Sequence, residues 1–590
     1  IVLSLKGTTN GGLQLELLLE QPLKPICRDE QSNLLSCTYD NTKSVLRIEL
    51  DRPLEPGEVR KLRVIADGVL DCGESQTWCQ IDKELSYLLG GSYIPLPQEP
   101  KSRFPGTLRV DVPDSYVVAA TGFLTGVDES KVGRRRYIFS HDEPTMLYSF
   151  AVAPFDVQRL QPEAGIDIGV FSLGDGKKQA PQLLEYLQQV LEFYSDQLAP
   201  YPFEKLDAVT IDDKFGGGFG PLATIFVSRF AFSYFSKEAY SESTRELFAH
   251  EVAHQWWGHQ RDQYGFDDWI VTESLAEFSA MLFAHERGND AHLYDNLQSY
   301  LIGFTRSKDR SLYPYDSGGL SSSQHFLLLY ARGSVTFMQL RELIGAEAFD
   351  DGLRSLFVST PFEYLSVPQL RQALIDRAGP KAGTLFDRFV TAKGFPELTL
   401  RVRRPPLSPV APGDPSPGPT PGPPTPAPIP EPGTPPPGPG APFPTVQPGT
   451  VVVEVSHGAL PFEMPLRLAV ETESGVFVQE LALTDSALPQ SFVVTLDRPL
   501  RSLRVLPTPI YLKTFESALA GDIDLNGEVD GADLVELAIH YRRALTVTHQ
   551  NQRIVTPDAD WLFTADCNGD TVVDEKDLAV LRAAYGQRNE

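Results

Sequence analysis

Long apolar runs are missing from this chain. None approaches the roughly 18 residues a helix needs to cross a bilayer, so no membrane span is expected. Positive charge is also scarce: 52 lysines and arginines face 78 aspartates and glutamates, a formal net charge of -26 over 590 residues. So acidic a surface suits a soluble protein and argues against nucleic acid or an anionic membrane as the main partner. Cysteine is rare, with five in all. Cys27 and Cys37 are ten apart, Cys72 and Cys79 seven apart, and Cys567 stands near the C-terminus. Two close pairs without metal-ligating neighbours read as two local disulfides, hence an oxidising compartment and a secreted protein. The chain opens at Ile1 rather than methionine, and the expectation is that an N-terminal segment was removed or left out.

The length allows three or four domains, each with its own core. Residues 1–158 carry alternating runs such as Val45-Leu46-Arg47-Ile48-Glu49-Leu50, separated by turn residues, which predict an antiparallel β-sandwich. From 159 to 396 the apolar period becomes helical, with helices expected at about 181–197, 291–305, 324–344, 347–358 and 367–378 and a strand at Leu206 to Ile211. Residues 405–449 are dominated by proline and glycine and cannot pack a core, so they read as an extended spacer. Strand-like runs on either side, in 397–404 and 450–512, predict a small β-sandwich that the spacer interrupts or adjoins. Residues 513–590 form a separate module.

The chemistry concentrates between Ser243 and Phe278. His250-Glu251-Val252-Ala253-His254 puts two imidazoles one helical turn apart on one face, where both can reach a single ion. Glu251 lies beside them and can hold water without being a ligand. This is the H-E-x-x-H pattern of zinc peptidases. Glu273 follows after eighteen residues, near the start of a helical run from Thr272 to Arg287. Three protein ligands, His250, His254 and Glu273, would leave the fourth position of Zn²⁺ open, the catalytic rather than the structural arrangement. Ser243-Thr244-Arg245-Glu246 fits a capping box, so the first helix is expected to begin at Ser243.

A second kind of site is predicted near the C-terminus. Asp522, Asp524, Asn526, Asp530 and Asp533 place oxygen side chains at positions 1, 3, 5, 9 and 12 of a loop, with Gly527 at 6 and the backbone carbonyl of Glu528 at 7. Asp566, Asn568, Asp570, Asp574 and Asp577 repeat the pattern, with Val572 at position 7. Hard oxygens in this order around a tight turn suit Ca²⁺, and two copies in register predict two structural ions.

With these motifs in place, residues 1–512 resemble the aminopeptidase N-like gluzincin family. The likeness rests on His250-Glu251-Val252-Ala253-His254-Gln255-Trp256-Trp257-Gly258-His259, on Glu273-Ser274-Leu275-Ala276-Glu277-Phe278 and on Tyr330-Ala331-Arg332-Gly333-Ser334, with Tyr201-Pro202-Phe203 and Gly394-Phe395-Pro396 in support. It implies a multidomain α+β fold: an N-terminal β-sandwich, a thermolysin-like, mainly α catalytic domain and a small β-sandwich. It also implies zinc on His250, His254 and Glu273, Glu251 as general base, Tyr330 as the hydrogen-bond donor to the transition state, and a peptide substrate. The last module resembles a dockerin, a paired EF-hand-like helical unit that attaches enzymes to cohesin-bearing scaffolds, which implies a cohesin-type partner. Two departures stand out. Gly531-Ala532 and Glu575-Lys576 replace the Ser/Thr pair often used against cohesins, and Thr571 stands where a left-handed glycine is expected, at a cost of about 1 kcal/mol.

One departure bears on the chemistry. Aminopeptidases of the family carry a Gly-x-Met-Glu-Asn segment whose glutamate holds the substrate's α-amine. The corresponding substrate-binding stretch is Gly216-Gly217-Gly218-Phe219-Gly220-Pro221, and aligned on Pro221 it offers Phe219 in place of that glutamate. Either another acid, such as Asp212 or Asp213 just upstream, supplies the anchor, giving an aminopeptidase with an altered segment, or no free N-terminus is required and the enzyme is an endopeptidase. Two other classes compete: a zinc hydrolase of the epoxide type, and an inactive scaffold. The intact set His250, Glu251, His254, Glu273 and Tyr330 argues against the scaffold, since decay usually removes a ligand or the base first.

Overall fold

The computed structural model describes residues 1–6, 13–19, 24–73, 76–90, 93–97, 103–145, 147–161, 165–237, 241–288, 310–358, 362–393, 398–403, 449–457, 463–505 apart from 485 and 487, 515–541 apart from 518, 565, 567 and 573–588. The helix expected at 291–305 and nearly all of the proline-rich stretch lie outside these. The described residues form two compact units, one up to Lys393 and one from Leu398 onward.

The first unit opens with two facing antiparallel sheets. One orders Val2–Lys6, Val59–Asp67, Lys24–Arg28 and Leu34–Leu35; the other orders Leu96–Pro97, Gln14–Leu18, Val45–Glu49 and Cys37–Asp40. Alternating side chains send Leu17, Leu46, Ile48, Leu62 and Val64 into the space between them. The expected single sandwich is only part of this region. A three-stranded sheet (Phe104–Pro113, Arg134–Thr145, Phe123–Asp128) and a four-stranded one (Val117–Ala120, Phe150–Ala153, Ser86–Leu88, Cys79–Gln80) follow, around Val112, Val118, Tyr137 and Phe139.

The expectation of two disulfides is half met. Cys72 and Cys79 are bonded; Cys27 and Cys37 are free thiols. Cys27 sits in one sheet and Cys37 at the start of a strand in the facing sheet, where its Sγ reaches the Pro25 carbonyl at 3.6 Å. Burial, reinforced by the neighbouring Cys37 thiol, raises the Cys27 pKa far above its ordinary value.

The catalytic half is built on a five-stranded mixed sheet ordered Asp156–Leu160, Asp167–Ser172, Lys205–Ile211, Thr224–Ser228, Gly218–Phe219. Its inner pairs are parallel and its two outer pairs antiparallel. Every residue of Lys205–Ile211 is buried, as expected of a strand covered on both faces. Helix α1 (Ala180–Gln197) packs against this sheet through a stripe of Leu183, Leu187, Val190, Leu191 and Tyr194. Leu85, Tyr87, Ala151 and Ala153 of the preceding region close on Phe171, Val209, Ile211 and Phe226. Lys205 Nζ pins this junction, 2.6 Å from Asp207 Oδ2 and 3.4 Å from the Ala120 carbonyl. Helices α2 (Arg229–Tyr234), α3 (Ser241–Ala253) and α4 (Glu273–Glu286) follow.

In the second unit, Leu398–Arg403 pairs antiparallel with Thr450–His457, from Leu398 opposite His457 to Arg403 opposite Val452. The proline-rich stretch therefore joins two neighbouring strands of one sheet. That sheet also holds Gln490–Thr495 and Phe515–Ser517; a second orders Gly475–Leu483, Met464–Thr472 and Leu500–Val505. Beyond them two helices, Gly531–His540 and Glu575–Ala584, pack together, each opened by an aspartate capping box at Asp530 or Asp574.

Replacing Lys205 with methionine strips Asp207 of its closest cation in a buried site, and should cost about 3 kcal/mol. Urea unfolding of K205M against the parent checks this; a change under about 0.5 kcal/mol would show the pair to be dispensable.

Candidate active site

Helix α3 begins at Ser241, two residues before the expected start, so Ser243 lies inside the helix and is not its cap. Glu242 already pairs with Arg245 at 2.9 Å across one turn, which a helix beginning at Ser243 would not allow. The helix is enclosed. Phe248, Ala249, Val252 and Ala253 are wholly buried, and Phe232 and Phe235 meet Phe248 edge-on. From α1, Tyr186 and Tyr194 donate hydroxyls to the Arg245 and Ala249 carbonyls.

His250 lies in the last turn of α3, and His254 follows immediately after its end. Their Nε2 atoms stand 3.1 Å apart. Glu273, the first residue of α4, brings Oε2 to 3.7 Å from His250 Nε2 and 3.6 Å from His254 Nε2. The far nitrogens are already committed: His250 Nδ1 donates to Glu277 Oε2 and His254 Nδ1 to the Trp257 carbonyl, each at 2.9 Å. Both rings are thereby fixed with Nε2 lone pairs aimed at one point, as a metal site requires.

Charge follows the same geometry. Burial opposes a charge on His250, but Glu273 and Glu277 outweigh it and hold the ring's pKa well above its usual value. Burial would raise Glu273, yet the two imidazoles bring its carboxyl down to about 2. Glu251 is pushed up to about 8, mainly by burial. Its Oε2 has no hydrogen-bond partner among the described residues. Two imidazole nitrogens, one ionised carboxylate and an unsatisfied buried acid beside them fit Zn²⁺ and a water molecule.

Tyr330 completes the group from a π-helical turn, Leu327–Gly333, where the sequence predicted one uninterrupted helix. The ring stacks on His250 and on Phe326, and burial, with the neighbouring Glu273 carboxylate, raises its pKa well above the ordinary value. The turn lies close against α4: Ser274 Oγ donates to the Leu329 carbonyl at 2.6 Å, and a Cβ on Gly333 would stand 2.0 Å from that oxygen.

The Gly218–Phe219 strand runs along the other side of Glu251. A Cβ on Gly218 would lie 2.5 Å from the Glu251 carboxylate, and one on Gly220 2.7 Å from the Glu251 carbonyl, so only glycine fits at either position. Gln255 fastens the next residues, accepting from Ala223 N and donating to the Pro221 carbonyl, while His259 Nε2 donates to the Gly220 carbonyl at 2.9 Å. Gly217 holds the strand's start through its carbonyl, which accepts from Ser228 N. Of the two named amine anchors, Asp212 Oδ1 accepts from Lys214 N in the short turn that follows it, and Asp213 Oδ1 accepts from Phe230 N at the start of α2.

The C-terminal loop gathers Asp522, Asp524 and Asp533, with one oxygen of each within 4.8 Å of the others. Burial, then the neighbouring Asp533 and Asp522, lift Asp524 to about 8. Asn526 donates to Asp524, and the Glu528 side chain turns outward to Arg588. Asp577 receives the Asp574 amide; Asp566, Asn568, Asp570 and Val572 lie outside the described residues. Sequence reasoning missed Glu277, although a carboxylate one turn after Glu273 faces the same way. It also missed Trp78 and Phe215, which gather with Phe219 on the site's flank.

His250 in the last turn of α3, His254 just past its end, Glu273 at the head of α4 and the buried Glu251 thus make a candidate zinc centre with an acid beside it. Residues 183–389 match the peptidase family M1 domain. Among curated proteins, aminopeptidase N of Lactobacillus helveticus is 23% identical over 317 residues, covering 52% of this chain and 37% of that one. Human endoplasmic reticulum aminopeptidase 1 is 25% identical over 219 residues, 35% of this chain and 23% of that one. The chain thus spans well under half the length of these relatives. A solved M1 zinc metallopeptidase from Deinococcus radiodurans, a point mutant, shares the fold with a TM-score of 0.53 at 19% identity, covering 67% of this chain and 90% of that one.

Glu277→Ala should weaken zinc binding about 10–100-fold by releasing His250. Competition with a chromogenic chelator measures this, and an unchanged affinity would remove Glu277 from the account.

Proposed function

We propose that this chain is a zinc peptidase, carried by one observation: two imidazoles and a carboxylate converge from separate helices beside a buried, unsatisfied Glu251. His250, His254 and Glu273 would hold the ion, which when bound polarises a carbonyl and acidifies water. Glu251 takes the proton from the attacking water and passes it to the leaving amine. Tyr330 donates its hydroxyl to the developing oxyanion. Gly218 and Gly220 let the strand approach the Glu251 residue closely.

The domain is of the aminopeptidase type with an altered amine-anchoring segment. A second reading, cleavage without a free amino terminus, is supported by Phe219 standing where the resemblance leads one to expect the anchoring glutamate. Calcium in the Asp522–Asp533 loop and its partner loop, attachment to a cohesin-type partner, and secretion complete the reading. The acidic cluster supports the first, the loop pattern the second and the Cys72–Cys79 bridge the third.

Glu251→Gln should lower kcat by about 10²–10⁴ with zinc content retained, and Tyr330→Phe by about 10²–10³ with KM little changed. Full activity in zinc-loaded Glu251→Gln would refute the assignment. Calcium removal in zinc-replete buffer should expose residues 515–590 to limited proteolysis and leave hydrolysis intact; loss of turnover would contradict the division of roles.

A further inference from the structure

We infer that Trp78, Phe215 and Phe219 form an apolar wall that seats an aliphatic or aromatic side chain of the substrate next to the scissile bond; this rests on the peptidase reading. The rings meet edge-on, Trp78 with Phe215 at 5.3 Å and with Phe219 at 5.2 Å, while Phe215 and Phe219 are 6.4 Å apart. Their place in the fold ties them to the catalytic base. Gly218 abuts Glu251, and alternation along the strand turns Phe219 to the opposite face. The strand lies at the edge of its sheet, with one side paired to Thr224–Ser228. An extended peptide lying along that edge with one group at Glu251 presents its neighbouring side chain to the aromatic face.

The cluster is not a closed core. Phe215 and Phe219, each partly buried, rest against the core that holds Val209, Ile211 and Phe226, while Trp78 is 46% exposed. An exposed tryptophan held rigidly is an effective binding surface, because little freedom is lost when it is covered. Here the rigidity is built in. The Cys72–Cys79 bridge closes the loop that carries Trp78, and the Trp78 carbonyl accepts from Leu89 N at 2.9 Å. Gly90 faces the ring without a side chain to cover it. With Phe219 in this strand and Trp78 and Phe215 beside it, this flank selects by apolar area.

The test uses the full chain, zinc-loaded, and a peptide varied at one residue among Phe, Leu, Ala and Glu. In active protein, Trp78→Ala should raise KM for the Phe and Leu peptides about tenfold, leave kcat within about twofold, and spare the Ala peptide. Phe219→Glu should reverse the order, favouring peptides with a free amine. Fluorescence titration of Glu251→Gln protein should show Trp78 responding to the Phe and Leu peptides, with the response absent from Glu251→Gln/Trp78→Phe. A KM loss equal across all four peptides, or a wild type indifferent to the side chain, would make the trio a packing cluster and overturn the proposal. Absence of turnover with side-chain-dependent binding intact would instead strike the peptidase reading alone.

Discussion

In a buried site His250 and His254 bring their Nε2 atoms to within 3.1 Å of each other, with Glu273 Oε2 at 3.7 and 3.6 Å from them. Groups of this kind are held together most favourably by a cation that all three can ligate. Much of the catalytic half serves this one constraint. Glu277 and the Trp257 carbonyl set the rings; Tyr186 and Tyr194 hold α3 by its backbone. Ser274 and Gly333 bring the Tyr330 turn against the helix that carries Glu273. The cost of burying these groups is offset by hydrogen bonds to their outer atoms, leaving Glu251 Oε2 unsatisfied among the described residues, at the reacting centre.

The flank opposite is built differently. Gln255 and His259, just past the second ligand, tie the glycine-rich strand to the zinc helix, so the strand and the base keep a fixed separation. On its far face Trp78, from the N-terminal region, meets Phe215 and Phe219 where the resemblance implied a carboxylate. One side of the strand thus meets Glu251 while the other carries the aromatic rings.

What the sequence revealed was local, and what it hid was distant. His250, Glu251 and His254 share one helical turn, so their joint role was legible from spacing alone, and Glu273 from its place at the head of a helix. Glu277 was legible in principle by the same periodicity. The capping box at Ser243 misled because S-x-x-E occurs within helices as well as at their starts, and Glu242 with Arg245 extended this one. Cys27 and Cys37 were paired on separation along the chain, which says nothing of which sheet each joins. The π-helical turn at Tyr330 was invisible because its apolar pattern is that of an ordinary helix. Trp78 meets Phe219 only through tertiary folding, and no periodicity records such a contact.

The central claim is a zinc-centred peptidase with Glu251 as its base and an altered amine-anchoring segment. It is tested most directly with one peptide in free and N-acetylated forms, incubated with zinc-loaded protein and with Glu251→Gln, the products being read by mass. The account expects the parent to cleave the free form and the variant not to do so at a comparable rate, with cleavage of the acetylated form as well selecting the reading in which no free amino terminus is required. Equal turnover of the free form by parent and variant would contradict it.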